Sequence, residues 1–400
     1  MERPAGDARV IGLVSGAHFV SHLYALLLPP VFALIHGDSG LNYQELAAVV
    51  ASYNLVSALL QTPTGFLVDR LGAGRLLIAG LLLGSAAIAV AALVPSYWAL
   101  VICFGFAGLA NTVYHPADYA ILSHAVAPKR IGQAFSVHTF SGLLGFAAAP
   151  PLMLICARFW GWHGALLVAA AIGLMVALVL IAQRHALAVT PAAPAQRQHR
   201  PADAGWRLLM TPAILKNLAF FTMLALAGGG ISNFSIVALA ALYDTPLWVA
   251  NTGLSAYLFL SALSVLLGGI IADRTRHHTR VAAFGFALSA SVILVIGTVA
   301  VGSAPLIALM AIAGLLSGII QPSRDMIVRA VTPAGSFGKV FGFVTTGFNL
   351  GGVVGPLFFG WLMDRGEPRA IFLVVVGITL LSLLTVSTTR VPVSKPAAAD

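Results

Sequence analysis

His18 and His22 stand four residues apart in an apolar stretch, with Ser15 three residues before them. On a helix that spacing puts all three on one face. Imidazole titrates near neutral pH, so such a pair can take up and release a proton. The plainer reading is that each ring hydrogen-bonds a neighbouring helix and packs. A second set, Gly108, Asn111, His115 and Asp118, recurs at steps of three, four and three. Adding 206 to each number gives Gly314, Ser317, Gln321 and Arg324. One polar stripe is written twice, ending in a carboxylate in the first copy and a guanidinium in the second.

Two arrangements of these charged ends are open. Asp118 and Arg324 can pair across the two copies as a cytoplasmic-side gate, closed when the molecule faces outward. Alternatively each is tied locally as a charge relay, Asp118 to Arg70 or Arg75 and Arg324 to Asp325 or Asp273. Asp118 lies roughly 15 Å of helix before Lys129, a depth that suits a gate or relay. His115, one turn deeper, suits a substrate or a proton better. Tyr53, Asn54, Ser57, Gln61, His138, Asn233, Tyr257 and Asn349 are further polar residues in apolar surroundings, for which interhelical hydrogen bonding competes with function. Cys103 and Cys156 have no metal-ligand spacing and read as packing residues. No metal motif, P-loop or GxSxG elbow is present, so neither a metal, nor another cofactor, nor enzymatic activity is expected.

The elements that hold these residues must be membrane helices. Of 400 residues, 59% are hydrophobic and 9% charged, too few charges to cover a soluble fold of this size. Apolar stretches long enough to span a bilayer recur along the chain. The expected spans are 10–35, 44–68, 73–94, 97–126, 131–157, 162–183, 212–242, 246–271, 280–302, 305–331, 337–363 and 369–389. The first is read as a span, not a cleaved signal, because Pro29-Pro30 follows it and no cleavage site does. The fold class is therefore all-α: twelve transmembrane helices in two six-helix bundles, 1–183 and 212–400. Residues 184–211, rich in Pro, Ala and Arg, form a cytoplasmic linker. With the N-terminus inside, 18 basic residues fall inside and three outside, with Arg324 in a span, which accounts for all 22. Both termini are then cytoplasmic. The net charge of +9 is a topogenic signal and an attraction to anionic lipid. The basic residues are scattered and not interleaved with aromatics, which excludes a nucleic-acid surface. Trp160, Trp162 and Trp248 fall at the expected outer interface as anchors.

The two halves repeat beyond the stripe. Gly65-Phe-Leu-Val-Asp69-Arg70 is echoed by Gly269-Ile-Ile-Ala-Asp273-Arg274, and Pro116/Pro322, Gly132/Gly338, Phe135/Phe341, Gly145/Gly351 and Pro150/Pro356 share one offset. A parallel repeat implies a pseudo-two-fold axis along the membrane normal, with a solute site between the halves near the midplane. Over essentially its whole length the chain resembles the major facilitator superfamily. The stretch GFLVDRLGAGR, Gly65 to Arg75 through Gly72, is similar to that family's signature loop, with a weaker copy from Gly269 to Arg280. Tyr114 to Pro151 resembles the group of fosmidomycin-resistance efflux permeases. The resemblance implies alternating access, with Asp69 facing the N-terminus of the eleventh helix to hold the cytoplasmic side shut. It departs at Cys103, where drug–proton antiporters of the family carry arginine, and at His22, where the permease group carries an acid. The glycine-proline signature of span five is fuller in span eleven, at Gly347, Gly351, Gly355-Pro356 and Gly360.

From these observations a monomeric, proton-coupled exporter of a small polar or anionic compound is expected in a bacterial-type inner membrane. Its partners are that solute, protons and the lipid bilayer. Proton-coupled uptake of a small organic acid is the rival, and a membrane receptor or scaffold without flux is the reading from another class.

Overall fold

The computed structural model describes residues 6–94, 96–127, 130–187, 207–275, 277–330 and 337–387. The side chains of Asp69, of residues 329–339, of residues 341 and 342 and of residues 386 and 387 fall outside this description, as does most of the expected linker. The elements are α1 (Asp7–Ala25), a 3-10 turn at Pro29–Val31, α2 (Phe32–Ser39), α3 (Tyr43–Leu71), α4 (Ala73–Leu93), α5 (Tyr97–Ala125), α6 (Ile131–Ala182), α7 (Pro212–Tyr243), α8 (Leu247–Arg274), α9 (His278–Thr298), α10 (Ser303–Ala330), α11 (Phe337–Asp364) and α12 (Pro368–Ser387). Among the described residues, ten helices are individually long and apolar enough to cross a bilayer, and the bent pair α1–α2 adds an eleventh crossing. α6 has 52 residues, or about 78 Å of helix at 1.5 Å per residue. That is more than twice the roughly 30 Å hydrocarbon core, so α6 crosses twice and the total is twelve, six in each half.

Two expected spans differ in detail. The first is not one helix over 10–35. Pro29 and Pro30 withhold two N–H groups, and the chain bends by 40° between α1 and α2. Spans five and six are parted within the expected gap, but by a tight turn with no loop of its own. They run together and turn at Gly161, whose φ of 66° and ψ of 176° lie in a region open essentially to glycine alone. The indole of Trp162 is buried and donates to Asp38 Oδ2 at 2.9 Å, so it ties α6 to α2 instead of anchoring in the interface. Trp160 and Trp248 are exposed, as anchors would be.

The repeat is visible as packing. Gly108 of α5 lies against the Tyr53 carbonyl of α3, and Gly314 of α10 lies against the Tyr257 carbonyl of α8. Ser57 Oγ donates to Gly108 O at 2.9 Å in the first half. In the second, Gly318 is pressed against Ser261. The same small-residue seam thus fastens the second helix of each half to its fourth. Tyr24 of α1 joins Ser85 of α4 at 2.9 Å and donates to Ala169 O of α6 at 3.2 Å.

The halves meet at the end opposite the α3–α4 loop, termed here the far end. Phe32 packs on Phe234, and Phe234 on Phe359. Gly360 of α11 reaches within 2.8 Å of the Tyr43 carbonyl of α3, counted from where its Cβ would stand. Asp364, the last residue of α11, accepts from the N–H groups of Tyr43 and Gln44 at 2.8 and 2.7 Å. These are orphan donors of the first turn of α3, where a carboxylate also meets the positive end of the helix dipole. Asn42 and Glu45 complete a capping box at the same terminus. Asp364→Ala should remove about 0.5–2 kcal/mol of cap energy from the far-end seal. A membrane-impermeant maleimide should then label a cysteine at Ala47 several-fold faster than in the parent.

Candidate functional site

Between the halves lies a cavity of about 640 Å³. Its first-half wall includes Ser21, His22, Tyr53, Asn54, Asn111 and His115; its second-half wall includes Asn233, Tyr257, Ser317, Gln321, Arg324, Phe348 and Asn349. Of the residues singled out from the sequence, His22, Asn111, His115, Gln321, Arg324 and Asn349 therefore come together on one space. The repeated stripe explains why: α5 and α10 face each other across the cavity and present equivalent positions to it. Asn111 donates to Ser57 Oγ at 3.3 Å, and Tyr257 donates to Ser317 Oγ at 3.5 Å.

His18, His138 and Asp118 are not on the cavity wall. They sit behind it, inside the first half, and are 3%, 1% and 0% exposed. Asp118 Oδ2 stands 3.2 Å from His18 Nδ1 and 3.9 Å from His138 Nδ1. The His138 ring stacks on His18 with centroids 3.7 Å apart. His18 is also 4.5 Å from His22 and 5.0 Å from His115, centroid to centroid. Four imidazoles and one carboxylate form a single cluster, with His22 and His115 as its face on the cavity.

The local tie of Asp118 to Arg70 or Arg75 is not formed, and the gate with Arg324, which belongs to the conformation closed on the cytoplasmic side, is open in this one. Asp118 does not meet Arg324, and its neighbours are histidines, not Arg70 or Arg75, both of which are exposed. Each charged end of the stripe is held within its own half. Arg324 Nε donates to Asp325 Oδ1 at 2.9 Å, the local pairing, and not to Asp273, which is exposed. The Arg324 guanidinium lies 5.0 Å from the ring centre of Phe221 and 5.6 Å from that of Phe348. Planar guanidinium stacks well on aromatic faces, and only Nε is used by Asp325. Among the described residues no hydrogen bond engages the terminal nitrogens, which can meet oxygens in the cavity. Arg324 is 13% exposed and Asp325 47%, so the cation sits deeper than its partner.

The signature loops are differently placed. Gly72 takes φ +95°, a conformation that favours glycine, and turns α3 into α4. A Cβ at Gly65 or Gly269 would meet nothing within 4 Å, so these two glycines do not serve a close helix approach here. Arg70, Arg75, Asp273 and Arg274 are exposed. Asp69 belongs to α3, and the pairing expected for its side chain lies outside the described side chains.

Sequence reasoning did not single out Phe221, Phe348 or Asp364. The repeat held one signal: Phe348 is Gly142 plus 206. Gly142 leaves room for two histidines, and Phe348 at the equivalent place covers an arginine.

The family model described as the Major Facilitator Superfamily matches residues 14–250 and 249–400. The chain belongs to the Major Facilitator Superfamily. It is a multi-pass membrane transporter of small molecules, not an enzyme. This superfamily transporter is 22% identical over 384 residues to the fosmidomycin resistance protein of Escherichia coli (strain K12), covering 94% of this chain and 92% of that one. It is 27% identical over 385 residues to the probable nitrate/nitrite transporter NarK2 of Mycobacterium tuberculosis (strain ATCC 25618 / H37Rv), covering 93% and 94%. Its fold is shared with a bacterial homolog to the human lysosomal transporter Spinster, solved in an inward-facing and occupied conformation, at a TM-score of 0.79 and 13% identity over 96% of both chains.

Proposed function

We propose that this transporter exports a small anionic or polar solute across a bacterial-type inner membrane, in exchange for protons, by rocking its two halves about the central cavity. The observation that carries the reading is Arg324, in the cavity wall beside the touching rings of Phe221 and Phe348, with no hydrogen bond among the described residues on its terminal nitrogens. Gln321 and Asn349 lie on the same wall and can take further oxygens of the solute. The opposite wall is uncharged polar where Asn111 and Ser21 face the cavity. A solute with one acidic end and one hydrogen-bonding end fits both walls.

The basic loops put the Gly65–Arg75 end in the cytoplasm under the positive-inside rule. With the far end sealed by Asp364, Phe32 and Phe234, solute enters this conformation from the cytoplasm. A protomer has a complete cavity of its own, which supports a monomeric unit. Similarity to the fosmidomycin resistance protein over nearly the whole chain supports export. Similarity to NarK2, named for two small anions, supports an anionic cargo and is the observation that favours uptake as the second reading. The chain has no nucleotide-binding loop, so an ion gradient is the source of work in either direction.

Proteoliposomes containing a pH-sensitive dye, challenged with a panel of small anions, cations and neutral solutes, test this reading. Anions should move the lumenal pH in step with their flux. Flux indifferent to the pH gradient would remove the proton, and a response to cations alone would remove the anionic cargo.

A further inference from the structure

His18 divides its two ring nitrogens between two surroundings. Nδ1 stands 3.2 Å from Asp118 Oδ2. Nε2 points the other way, toward Gly142, where an added Cβ would lie 2.8 Å from it and 3.0 Å from His22 Nε2. One donor nitrogen from each of His18, His22 and His115 lies within 4.8 Å of the other two. No hydrogen bond accounts for this gathering. Among the described residues, His18 Nδ1, His22 Nδ1, both Asp118 oxygens and both nitrogens of His138 are buried without an aligned partner.

We propose that His18, His22 and His115 form a site for one divalent transition-metal ion of the Zn²⁺, Co²⁺ or Ni²⁺ kind, open to the cavity at its fourth position, with Asp118 as the positioning residue behind His18. Imidazole is a preferred ligand for these ions, and three protein nitrogens with one open place is a common arrangement for such metals. A carboxylate on the far nitrogen of a ligating histidine fixes its tautomer and aims its lone pair. Asp118 Oδ2 stands 3.2 Å from His18 Nδ1 without an aligned hydrogen bond, and comes into that relation when the ring turns onto the ion. Its negative charge also offsets part of the ion's charge in a region that water does not reach. Tetrahedral coordination at about 2.0–2.1 Å needs donors roughly 3.3 Å apart, so the rings must close slightly. His22 and His115 stand on the cavity wall, where they have room to do so, and the ion can reach them from the cavity. The group His18, Asp118 and His138 meets the same distance criterion but is buried at all three members, which leaves it no route of access. The sequence-based expectation of no metal rested on the lack of a local ligand motif. These ligands come from α1 and α5 and meet only in the fold.

The test uses the full chain, purified without an oligohistidine tag, stripped with EDTA and titrated with Co²⁺ in detergent micelles. One equivalent should bind, give the visible ligand-field absorption of low-symmetry Co²⁺, and be displaced by Zn²⁺. Asp118→Asn should weaken binding by about 10–100-fold. His22→Ala and His115→Ala should each weaken it more. The His277→Ala/His278→Ala double variant, at the other side of the molecule on the α8–α9 turn, should leave it unchanged. Metal-free melting temperature and elution volume report whether each variant is folded, and His115→Ala, on the cavity wall, serves if His22→Ala is not. Absence of saturable binding in the parent, its survival in folded His22→Ala and His115→Ala, or its loss in the His277/His278 variant would each overturn the proposal. Binding is read at equilibrium without any gradient, so its outcome is separate from that of the transport reading.

Discussion

Arg324→Gln is expected to abolish most carriage of anionic solutes while leaving a folded protein. Removing one partner of a buried, hydrogen-bonded charge contact costs about 2–5 kcal/mol, or roughly 30- to several-thousand-fold in apparent affinity. Three observations place Arg324 at the upper part of that range. Its guanidinium lies 5.0 and 5.6 Å from two aromatic ring centres, it is only 13% exposed, and its Nε is already anchored by Asp325. A ligand therefore meets a preorganised fork. Arg324→Lys keeps the charge but loses the plane that stacks and the paired donors, so it should recover little. Asp325→Asn should act the other way. It leaves the cation without its neighbour, tightens anion binding and slows release. Counterflow of nitrate and of short carboxylates in proteoliposomes measures all three, with melting temperature as the check on folding. Equal flux in parent and Arg324→Gln would remove Arg324 from the solute path.

Gly314→Ala and Gly108→Ala should be among the most destabilising single-methyl additions. In each case the new Cβ would run into a backbone carbonyl, that of Tyr257 or Tyr53, which cannot rotate away as a side chain would. Overpacking of this kind costs about 1–3 kcal/mol even where side chains give way, and a rigid neighbour raises the cost. Because the two glycines are equivalents in the repeat, both variants should lower the melting temperature by similar amounts. Gly65→Ala and Gly269→Ala are the contrast. Nothing lies within 4 Å of either added Cβ, and alanine favours helix over glycine by nearly 1 kcal/mol. Their melting temperatures should hold or rise. Thermal unfolding in one detergent, followed by intrinsic fluorescence, compares all four.

What could be read from the sequence follows from which physical signals are local. Span limits came from hydropathy, and Tyr97–Ala125 falls within a residue of its expected range. The repeat came from the spacing of glycine and proline, and it survives as a packing seam at Gly108 and Gly314. The shared wall of Asn111, His115, Gln321 and Arg324 followed from helical periodicity plus that repeat. Periodicity gives positions around one helix but not how that helix is turned against its neighbours. Asp118 therefore looked like a lumenal charge on its stripe, whereas it points between α1 and α6. Phe221, on a helix apolar on most sides, carried no mark that it would cover Arg324. Hydropathy placed the break between spans five and six at 158–161, but not the residue that makes it: the φ of 66° at Gly161 is a property of the folded turn. Asp364 reads as an ordinary surface acid until the N-terminus of α3 is placed beside it.

The central claim is that the two halves rock about the cavity, so that the far-end seal opens as the opposite end closes. Paired spin labels measure this directly in nanodiscs. One pair spans the far end at Phe159 and Trp248, which are 68% and 61% exposed. The other spans the opposite end at Leu71 and Thr275, equivalents in the repeat at the ends of α3 and α8. Distance distributions by double electron–electron resonance should show two populations for each pair, shifting in opposite senses when solute and pH are changed. Distances that stay fixed at both ends, or that lengthen and shorten together, would contradict the account.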